Sequence, residues 1–492
     1  MVCVFYSKKS SSSTDDFYLG GRRLGPVVTA MSAEASDMSS WLLMGLPGVA
    51  YFTGVADAAW TAIGLSIGTY LNWLLVAKRI RIYSEEIKAI TVPKFISLRF
   101  KDEKNILLGL SAAVIVIFFI PYTASGFAAI GKLFNSLLGF DYTTAMVIGA
   151  AVVIVYTILG GFLAVSVTDL IQSIIMTIAL AIVFAFGISI AGGWDAVWSN
   201  ASAVDGYLSF TNTANVLTGE SSGYSFITIC STLAWGLGYF GMPHILVRFM
   251  GIQDANKLKL SRRIGSIWVV ISMTVAVIIG IIGFAASKAG AIISFDSASA
   301  AESVIVQISD LLSEHGIAAA LVAGLILSGI LASTMSTADS QLLAASSSVS
   351  EDILTGVFGL KLTEKNTMWI ARLAVIFISI IGVFIARDPN SSVFAIVSFA
   401  WAGFGATFAP VILCALFWKR ANKYGAIAGM VTGGAMVFIW KYMVRPLGGV
   451  WNIYELLPAF ILATVMIVVV SLMTKAPDKD VVDTFEKVKE MC

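Results

Sequence analysis

The sequence predicts an all-α membrane protein of about twelve transmembrane helices, and two compositional observations lead to this fold class. Of the 492 residues, 58% are hydrophobic and only 13% are charged, whereas a soluble domain has about 25% charged residues. The mean hydropathy is +0.88, so lipid is the main solvent of the chain. A membrane helix needs about 20 mainly apolar residues, and such stretches occur at 28–53, 55–77, 107–134, 142–161, 166–192, 224–247, 264–287, 317–347, 368–387, 391–418, 425–441 and 455–474.

Charge and cysteine content exclude several classes of protein. The net charge is +2, which gives no basis for nucleic-acid binding. The four cysteines have no CxxC spacing and the chain has 2 histidines, so neither a zinc site nor a histidine relay is expected. No nucleophile–base pair is evident, and we expect neither an enzyme nor an organic cofactor.

Lysine and arginine fall mainly on one side of the predicted spans. The loops 78–105 and 248–263 are rich in both residues, whereas the long loop 193–223 has neither. Basic loops mark the cytoplasmic side of a membrane protein. Both termini are therefore predicted to be cytoplasmic. The chain is expected to reside in the lipid bilayer, and no obligatory protein partner is evident.

Two predicted spans contain helix-breaking residues. The first reads SAEASDMSSWLLMGLPG over 32–48, and the sixth reads WGLGYFGMPH over 235–244. Backbone groups freed by such breaks must face protein or water, and broken helices at corresponding positions indicate a transporter's binding site. The alternative is glycine that only permits close helix packing.

If the two breaks correspond, the chain contains two five-helix repeats. The predicted parts are a cytoplasmic N-terminal segment, the first repeat, an extracellular loop, the second repeat, two additional helices and a cytoplasmic tail. Their ranges are 1–27, 28–192, 193–223, 224–418, 419–474 and 475–492.

Four acidic residues lie within the predicted spans. Glu34 and Asp37 lie in the first break, Asp169 lies near the start of the fifth span, and Asp339 lies in the eighth. Charged side chains at bilayer depth cost about 2.5–3.5 kcal/mol on insertion scales and usually mark function. Asp37, Asp169 and Asp339 are therefore candidates for ion coupling, and Glu34 is a fourth acidic residue at this depth.

The eighth span also carries a run of hydroxyl side chains. Ser333, Ser336, Thr337 and Ser340 lie three, four and seven residues apart and share one helical face. A hard cation such as Na⁺ takes oxygen ligands, which hydroxyls and the carbonyls of an unwound helix supply. Each hydroxyl can instead bond back to a helix carbonyl. The cluster beside Asp339 predicts an ion site.

Aromatic residues near the breaks predict a substrate pocket. Trp235 and Tyr239 lie four residues apart beside Pro243, and Tyr122 follows Pro121 in the third span. Membrane Trp and Tyr mostly form interfacial belts, which is the alternative. These side chains lie nearer mid-span, where ring faces suit a small apolar cyclic substrate.

Several segments resemble the sodium/solute symporter family, and in particular its bacterial proline-transporting branch. They are DFYLGGRRLGP, SAEASDMSSWLLMGLPG, GGFLAVSVTD, WGLGYFGMPHILVRFM, MSTADSQLL and FAWAGFGATFAPV. The resemblance runs from about Asp16 to Lys475. It implies a leucine-transporter-type fold, with an inverted five-plus-five helix repeat and extra C-terminal helices.

The same resemblance implies sodium-coupled import of L-proline across the bacterial inner membrane, with Na⁺ as the coupling ion and no other cofactor. It implies roles for individual residues. Those implied to bind sodium are Ala35, Met38, Ser333, Ser336 and Thr337, and those implied to bind substrate are Ser39, Tyr122, Trp235, Tyr239 and Pro243. Asp37 is implied in sodium-dependent binding, and Arg22 and Asp169 in gating or ion release. The alternatives are a sodium symporter for another small amino acid or a carboxylate, and a transporter-like sensor.

Four features depart from the family pattern. Only 1–6 stand where the family has an additional first helix, Glu34 and Ser40 replace expected glycines, and Asp339 replaces a small hydroxyl residue. Asp169, Ser336, Asp339 and Ser340 are therefore predicted to form a second ion site. Two nearby carboxylates repel unless a cation or a shared proton lies between them, so we expect a second coupled ion or one protonated aspartate.

Overall fold

A computed structural model describes residues 14–492, so the expectation for 1–6 lies outside the described residues. The described chain is mainly helical, and its strands are one short antiparallel pair, in which Asn212 pairs with Gly223. The elements are α1 Thr14–Leu19, α2 Pro26–Ser40, α3 Leu46–Thr53, α4 Val55–Leu71, α5 Ala77–Glu86, α6 Val92–Arg99, α7 Ile106–Leu138, α8 Tyr142–Ile190, α9 Trp194–Ser202, β1 Asn212–Ala214, β2 Ser221–Gly223, α10 Phe226–Leu233, α11 Pro243–Gly251, α12 Leu258–Lys288, α13 Ala298–Ala301, α14 Val304–Ser313, α15 Ile317–Ser347, α16 Glu364–Ile385, α17 Val393–Phe417, α18 Lys423–Ile439, α19 Leu456–Met473 and α20 Lys479–Met491.

Shorter helical turns of other types join several of these helices. The 3₁₀ turns are Gly20–Arg22, Ala234–Gly241, Ala255–Lys257, Arg445–Leu447 and Gly449–Trp451, and the π turns are Trp41–Gly45, Asn72–Val76, Ser348–Val357 and Trp440–Val444.

Within residues 14–492, 9 helices are long and apolar enough to cross a membrane. One of them, Tyr142–Ile190, contains two predicted spans that meet at Gly161, where φ is 70° and the helix bends. A positive φ favours glycine because it has no Cβ. The first and sixth predicted spans are not among these helices, and the sixth contributes only the shorter apolar helix Phe226–Gly241. The count of twelve and the boundaries of the two repeats stay predictions.

The first broken helix, residues 26–53, consists of α2, a π turn and α3. Ser39 has φ 25° and ψ −172° and leaves the helix. The π turn Trp41–Gly45 precedes Pro47, whose ring would clash with the carbonyl four residues earlier in a regular helix. The local sequence therefore unwinds the helix beside Asp37, as predicted.

The second broken helix, residues 226–251, changes from α10 to a 3₁₀ turn and then to α11. Met242 is extended, and Pro243 begins α11, where the missing N–H costs nothing. Gly236 and Gly238 also permit close packing, because an added Cβ would lie 2.2 Å from the Gly64 carbonyl oxygen and 2.0 Å from Trp401 Nε1 respectively. This segment therefore contains both a helix break, at Met242, and glycines that permit close helix packing.

The second half of helix α15, which carries the hydroxyl run, is buried, whereas Ile317 and Leu321 at its start are exposed. Helix α15 packs against α8, α2 and α7, so its hydroxyl run faces the first broken helix. The outer surface of the bundle is apolar, as at Ile148 and Val155 on α8, which are about 60% exposed. Such a surface is expected where helices face lipid.

The two ends of the bundle differ. Residues 14–25 and α20 lie at one end, here called the terminal face, where Lys487 pairs with Glu86. The strands β1 and β2 lie at the opposite end, here called the hairpin face. There Tyr207 donates hydrogen bonds to the carbonyl oxygens of Ala50 and Tyr51, at the end of α3.

Candidate ion and substrate site

Hydroxyl groups of α15 cross to the break in the first helix. Ser336 Oγ donates a 2.8 Å hydrogen bond to the carbonyl oxygen of Ala35, and Thr337 Oγ1 lies 3.4 Å from the same oxygen. Thr337 Oγ1 also accepts the Ser39 amide at 3.1 Å. Both hydroxyls contact the carbonyl oxygen of Ser333, at 3.1 and 3.2 Å. A buried group of oxygen atoms therefore converges from two helices.

Not every hydroxyl of α15 takes part in this group. Ser333 Oγ donates to the Ile330 carbonyl and Ser340 Oγ to the Ser336 carbonyl, both at 2.8 Å. Intrahelical bonding, the alternative for each hydroxyl, thus occurs in all four, and only Ser336 and Thr337 also reach the Ala35 carbonyl of the first broken helix. Met38 lies in the break, and its carbonyl oxygen accepts the Trp41 amide.

Two tyrosines from different helices converge on Asp37. The Tyr239 hydroxyl donates a 2.5 Å hydrogen bond to Asp37 Oδ2, and the Tyr122 hydroxyl donates to the Asp37 carbonyl oxygen at 3.3 Å. Asp37 Oδ1 is buried and has no hydrogen-bond partner among residues 14–492. One carboxylate oxygen thus stays available beside the oxygen group.

An aromatic cluster surrounds the predicted pocket residue Trp235. Its ring stacks on Tyr454 at 5.0 Å between centroids and lies 5.6 Å from Trp41 and 5.4 Å from Phe394. Trp401 contacts Tyr239 edge-on at 5.1 Å. Of these partners Trp41 and Trp401 lie in motifs that the sequence analysis used, whereas Phe394 and Tyr454 do not. Those two come from distant segments and carried no signal.

A cavity of about 790 Å³ opens from the hairpin face and reaches Trp235, Phe394 and Tyr454. Asp57 and Arg445 also line it. Ser39 does not face this cavity: its amide donates to Thr337, and its hydroxyl accepts the Trp41 amide at 3.0 Å. Pro243 begins α11 directly after the unwound turn.

Asp169 is paired with a residue that the sequence analysis treated as a loop cation. Arg248 Nη2 lies 3.0 Å from Asp169 Oδ2 and 2.5 Å from Ser340 Oγ. Ser32 Oγ donates to the same carboxylate oxygen at 2.7 Å and accepts Arg248 Nε at 2.7 Å. All four side chains are buried, so the guanidinium supplies a positive charge at the predicted second ion site.

Asp339 lies beside this network. Ser340 Oγ donates to Asp339 Oδ1 at 3.2 Å, and Asp339 Oδ2 is buried without a hydrogen-bond partner in the described part of the chain. The structure therefore places Asp169, Asp339 and Ser340 in one region, with Arg248 joining Asp169 to Ser340. Arg248 directly follows the predicted span 224–247, where a basic residue ordinarily faces water, so no sequence pattern indicated this contact.

Arg22 bridges three segments at the terminal face. It donates to the Met250 carbonyl at 2.6 Å, the Ala89 carbonyl at 2.9 Å and the Ser84 hydroxyl at 3.1 Å. Burial of the guanidinium lowers the pKa of Arg22 to about 10, so it remains charged at neutral pH. Arg22 joins residues before α2 to the ends of α5 and α11.

A buried ion pair, which no sequence pattern indicated, joins segments near the hairpin face. The Glu302 carboxylate accepts Lys132 Nζ and the Ser392 hydroxyl at 2.7 Å each. It also accepts the amides of Val393 and Phe394 at 3.1 and 3.0 Å. Glu302 therefore binds the N-terminus of α17, where a negative charge is favourable.

Comparisons with known proteins cover nearly the whole chain. The model of the "Sodium:solute symporter family" matches residues 17–433. The "Sodium/proline symporter" of Haemophilus influenzae is 42% identical over 98% of this chain and 93% of its own length. The "High-affinity proline transporter PutP" of Bacillus subtilis is 41% identical over 99% of this chain and 98% of its own length.

Solved structures confirm the predicted fold class. A Na⁺-coupled sialic acid symporter in a substrate-bound, outward-open state aligns with a TM-score of 0.77 at 19% identity, over 97% of this chain and 96% of its own. The transporter MhsT in complex with L-phenylalanine aligns with a TM-score of 0.57 at 13% identity, over 92% of this chain and 98% of its own.

Proposed function

Because the chain belongs to the sodium:solute symporter family, we propose that it is a symporter that uses Na⁺ to import L-proline by alternating access. The observation that carries this proposal is the convergence of Ser336 and Thr337 on the Ala35 carbonyl, beside Asp37. Relatives over 40% identical are named as proline transporters. Symporters move solutes and are not enzymes.

The proposed sodium site uses neutral oxygen ligands from both helices. They are the carbonyl oxygens of Ala35, Met38 and Ser333 and the hydroxyl oxygens of Ser336 and Thr337. Oxygen donors suit a hard cation. Sodium would replace the direct bond between Ser336 and Ala35 and join α15 to the first broken helix. The free oxygen of Asp37 adds negative charge near this group.

The proposed proline pocket lies between the two breaks. Trp235 and Tyr239 supply ring faces for the pyrrolidine, and Tyr122 lies at the opposite side of Asp37. Ser39 and Pro243 belong to the backbone at the two breaks. Backbone amides freed by the breaks can hold the substrate carboxylate. A small cyclic amino acid suits this combination of apolar walls and backbone donors.

Coupling follows from a shared element. Sodium and proline would both order the first broken helix, so each should tighten binding of the other by the same factor. Sodium entry also supplies energy, since one charge moving through 100 mV is worth about 2.3 kcal/mol.

Two contacts are suited to close the opposite ends of the pathway. Arg22 bridges segments at the terminal face, and Glu302 with Lys132 joins segments near the hairpin face. In alternating access these contacts would break in turn. The basic loops support the proposal that the terminal face is cytoplasmic and that the protein belongs to the bacterial inner membrane.

A second ion position near Asp169 and Asp339 belongs to the same proposal. Arg248 already contributes one positive charge there, so a second cation or a shared proton would have to act through Asp339 and Ser340. A sodium dependence with a Hill coefficient of about one at every pH, unchanged in Asp339→Ser, would rule this out.

Uptake of radiolabelled L-proline into proteoliposomes tests the function. We expect accumulation with an inward sodium gradient and none with equal sodium on both sides. Asp37→Asn should abolish accumulation without loss of folded protein. Absence of accumulation in the folded wild-type protein would discard proline, and other small amino acids would then be screened.

A further inference from the structure

Glu34 is a buried carboxyl that the proposed sodium and proline contacts do not use. It lies on α2, three residues before Asp37, and is 2% exposed. Its Oε1 accepts Trp73 Nε1 at 2.6 Å and Thr69 Oγ1 at 3.0 Å. Both donors belong to the second predicted span, so Glu34 ties the first broken helix to that span.

A neighbouring helix leaves room for this contact. An added Cβ at Gly265 of α12 would lie 2.9 Å from Glu34 Oε1, 3.2 Å from Glu34 Cγ and 3.3 Å from Trp73 Nε1. A larger residue at 265 would therefore force the carboxyl away from its donors. The absence of a side chain at Gly265 lets the Glu34 carboxyl lie between α12 and Trp73.

The residue that follows Glu34 contributes to the proposed sodium site. The Ala35 carbonyl oxygen accepts Ser336 Oγ at 2.8 Å, on the side of α2 that faces α15. The Glu34 side chain is held on the side that faces the second span. The segment is thus fixed from both sides at two consecutive residues.

The same face of the second span also holds the other broken helix. Thr69, Asn72 and Trp73 lie three and four residues apart and share a face. Asn72 Nδ2 donates a 2.9 Å hydrogen bond to the Tyr239 carbonyl oxygen, a backbone acceptor within the unwound turn. One polar face therefore contacts both broken helices.

We infer that Glu34 is a positioning residue for sodium: its hydrogen bonds to Trp73 and Thr69 hold the Ala35 carbonyl in the geometry that the ion requires. This inference rests on the proposed sodium site. The role belongs to the acceptor oxygen of the side chain, so a neutral amide that keeps this oxygen should preserve it.

Sodium-dependent thermal stabilisation of the detergent-solubilised protein tests the inference without requiring transport. Sodium chloride would be exchanged against choline chloride at constant ionic strength. We expect Glu34→Ala to raise the half-saturating sodium concentration about tenfold, and Trp73→Phe to raise it about fivefold. Glu34→Gln should stay within about twofold of wild type.

Coupling between the positions provides a second readout. The double variant Glu34→Ala/Trp73→Phe should bind sodium no more weakly than Glu34→Ala alone, because both remove one interaction. Gly265→Ala should weaken sodium binding in the wild-type background and have no further effect in Glu34→Ala. Glu455→Gln, at a buried carboxylate paired with Arg445 near the hairpin face, is the control and should leave the sodium dependence unchanged.

The outcomes separate this inference from the proposed function. A wild-type protein that sodium does not stabilise would contradict the sodium site itself. A wild type that responds, with Glu34→Ala unchanged in half-saturation, would overturn the positioning role alone. Equal losses in Glu34→Gln and Glu34→Ala would also overturn it, because they would assign the effect to charge.

Discussion

The Tyr239 hydroxyl donates a 2.5 Å hydrogen bond to Oδ2 of Asp37, and this contact joins the two broken helices at the centre of the bundle. Both residues are buried. Asp37 lies two residues from Ala35, whose carbonyl accepts Ser336. One hydrogen bond therefore connects the proposed substrate site with the proposed ion site.

Tyr239→Phe should raise the proline concentration for half-maximal uptake about tenfold or more, because a hydrogen bond to a charged group contributes about 1.5–3 kcal/mol. Tyr122→Phe is the matched control. Its hydroxyl makes a longer bond, 3.3 Å, to a backbone carbonyl, so we expect less than about a fivefold change. Equal effects of the two variants in initial-rate uptake assays would argue against a special role for the Tyr239–Asp37 contact.

Arg248→Ala should lower the free energy of unfolding by about 3–5 kcal/mol, because it leaves the buried Asp169 carboxylate without its counter-charge. The measurement is the melting temperature in detergent. Lys419→Ala is the control: Lys419 is 63% exposed and pairs with Glu486, and such surface pairs contribute at most about 1 kcal/mol. Recovery of stability in Arg248→Met/Asp169→Leu is expected, and failure to recover would point to a role of Arg248 beyond charge neutralisation.

Glu302→Ala should loosen the start of α17, because four hydrogen-bond donors lose their shared acceptor. We would place Ser392→Cys in a background without other cysteines and measure its labelling by a membrane-impermeant thiol reagent. Labelling should become faster when Glu302→Ala is added. The corresponding control is Asp388→Ala, an acidic residue at the same face outside this cluster. If both additions accelerated labelling equally, the account of Glu302 would be wrong.

Docking of α20 on the terminal face should weaken at low pH and at high salt. Lys101 lies 2.9 Å from Asp480 and 3.3 Å from Asp478, and it holds the pKa of both carboxyls below their usual range. A lowered carboxyl pKa means that docking is strongest above the ordinary value of about 3.9 and weakens as the pH falls below it. These pairs are exposed, so salt also screens them.

Limited proteolysis of the tail measures this docking. Cleavage should accelerate as salt rises, and Lys101→Ala should remove part of that dependence. Phe485 is buried, and its ring centre lies 5.2 Å from the guanidinium carbon of Arg99. Phe485→Ala should therefore accelerate cleavage at every salt concentration. Cleavage that responded neither to salt nor to Lys101→Ala would contradict an electrostatic contribution.

The sequence was most informative where function imposes a local pattern. The hydroxyls at helical spacing beside an aspartate predict an ion site on α15, and the structure brings two of them, Ser336 and Thr337, to the Ala35 carbonyl. The breaks near Asp37 and Tyr239 could be predicted because glycine and proline interrupt apolar stretches. Both signals act within a few residues and need no knowledge of the tertiary structure.

The contacts that the sequence could not indicate are between distant segments. Arg248 lies at the end of a span, where a basic residue ordinarily faces water, and only helix packing places it against Asp169. Phe394 and Tyr454 join Trp235 from segments more than a hundred residues away. Glu302 has the same local surroundings as an exposed loop carboxylate, so its burial depends on the fold.

The most direct test of symport is whether proline can drive sodium. Proteoliposomes would receive an inward L-proline gradient with equal, low concentrations of radioactive sodium on both sides, and the membrane potential would be clamped. We predict that sodium accumulates inside with the wild-type protein and not with Asp37→Asn. Proline entry without sodium accumulation in the wild type would show that the two fluxes are not coupled and would contradict the central claim.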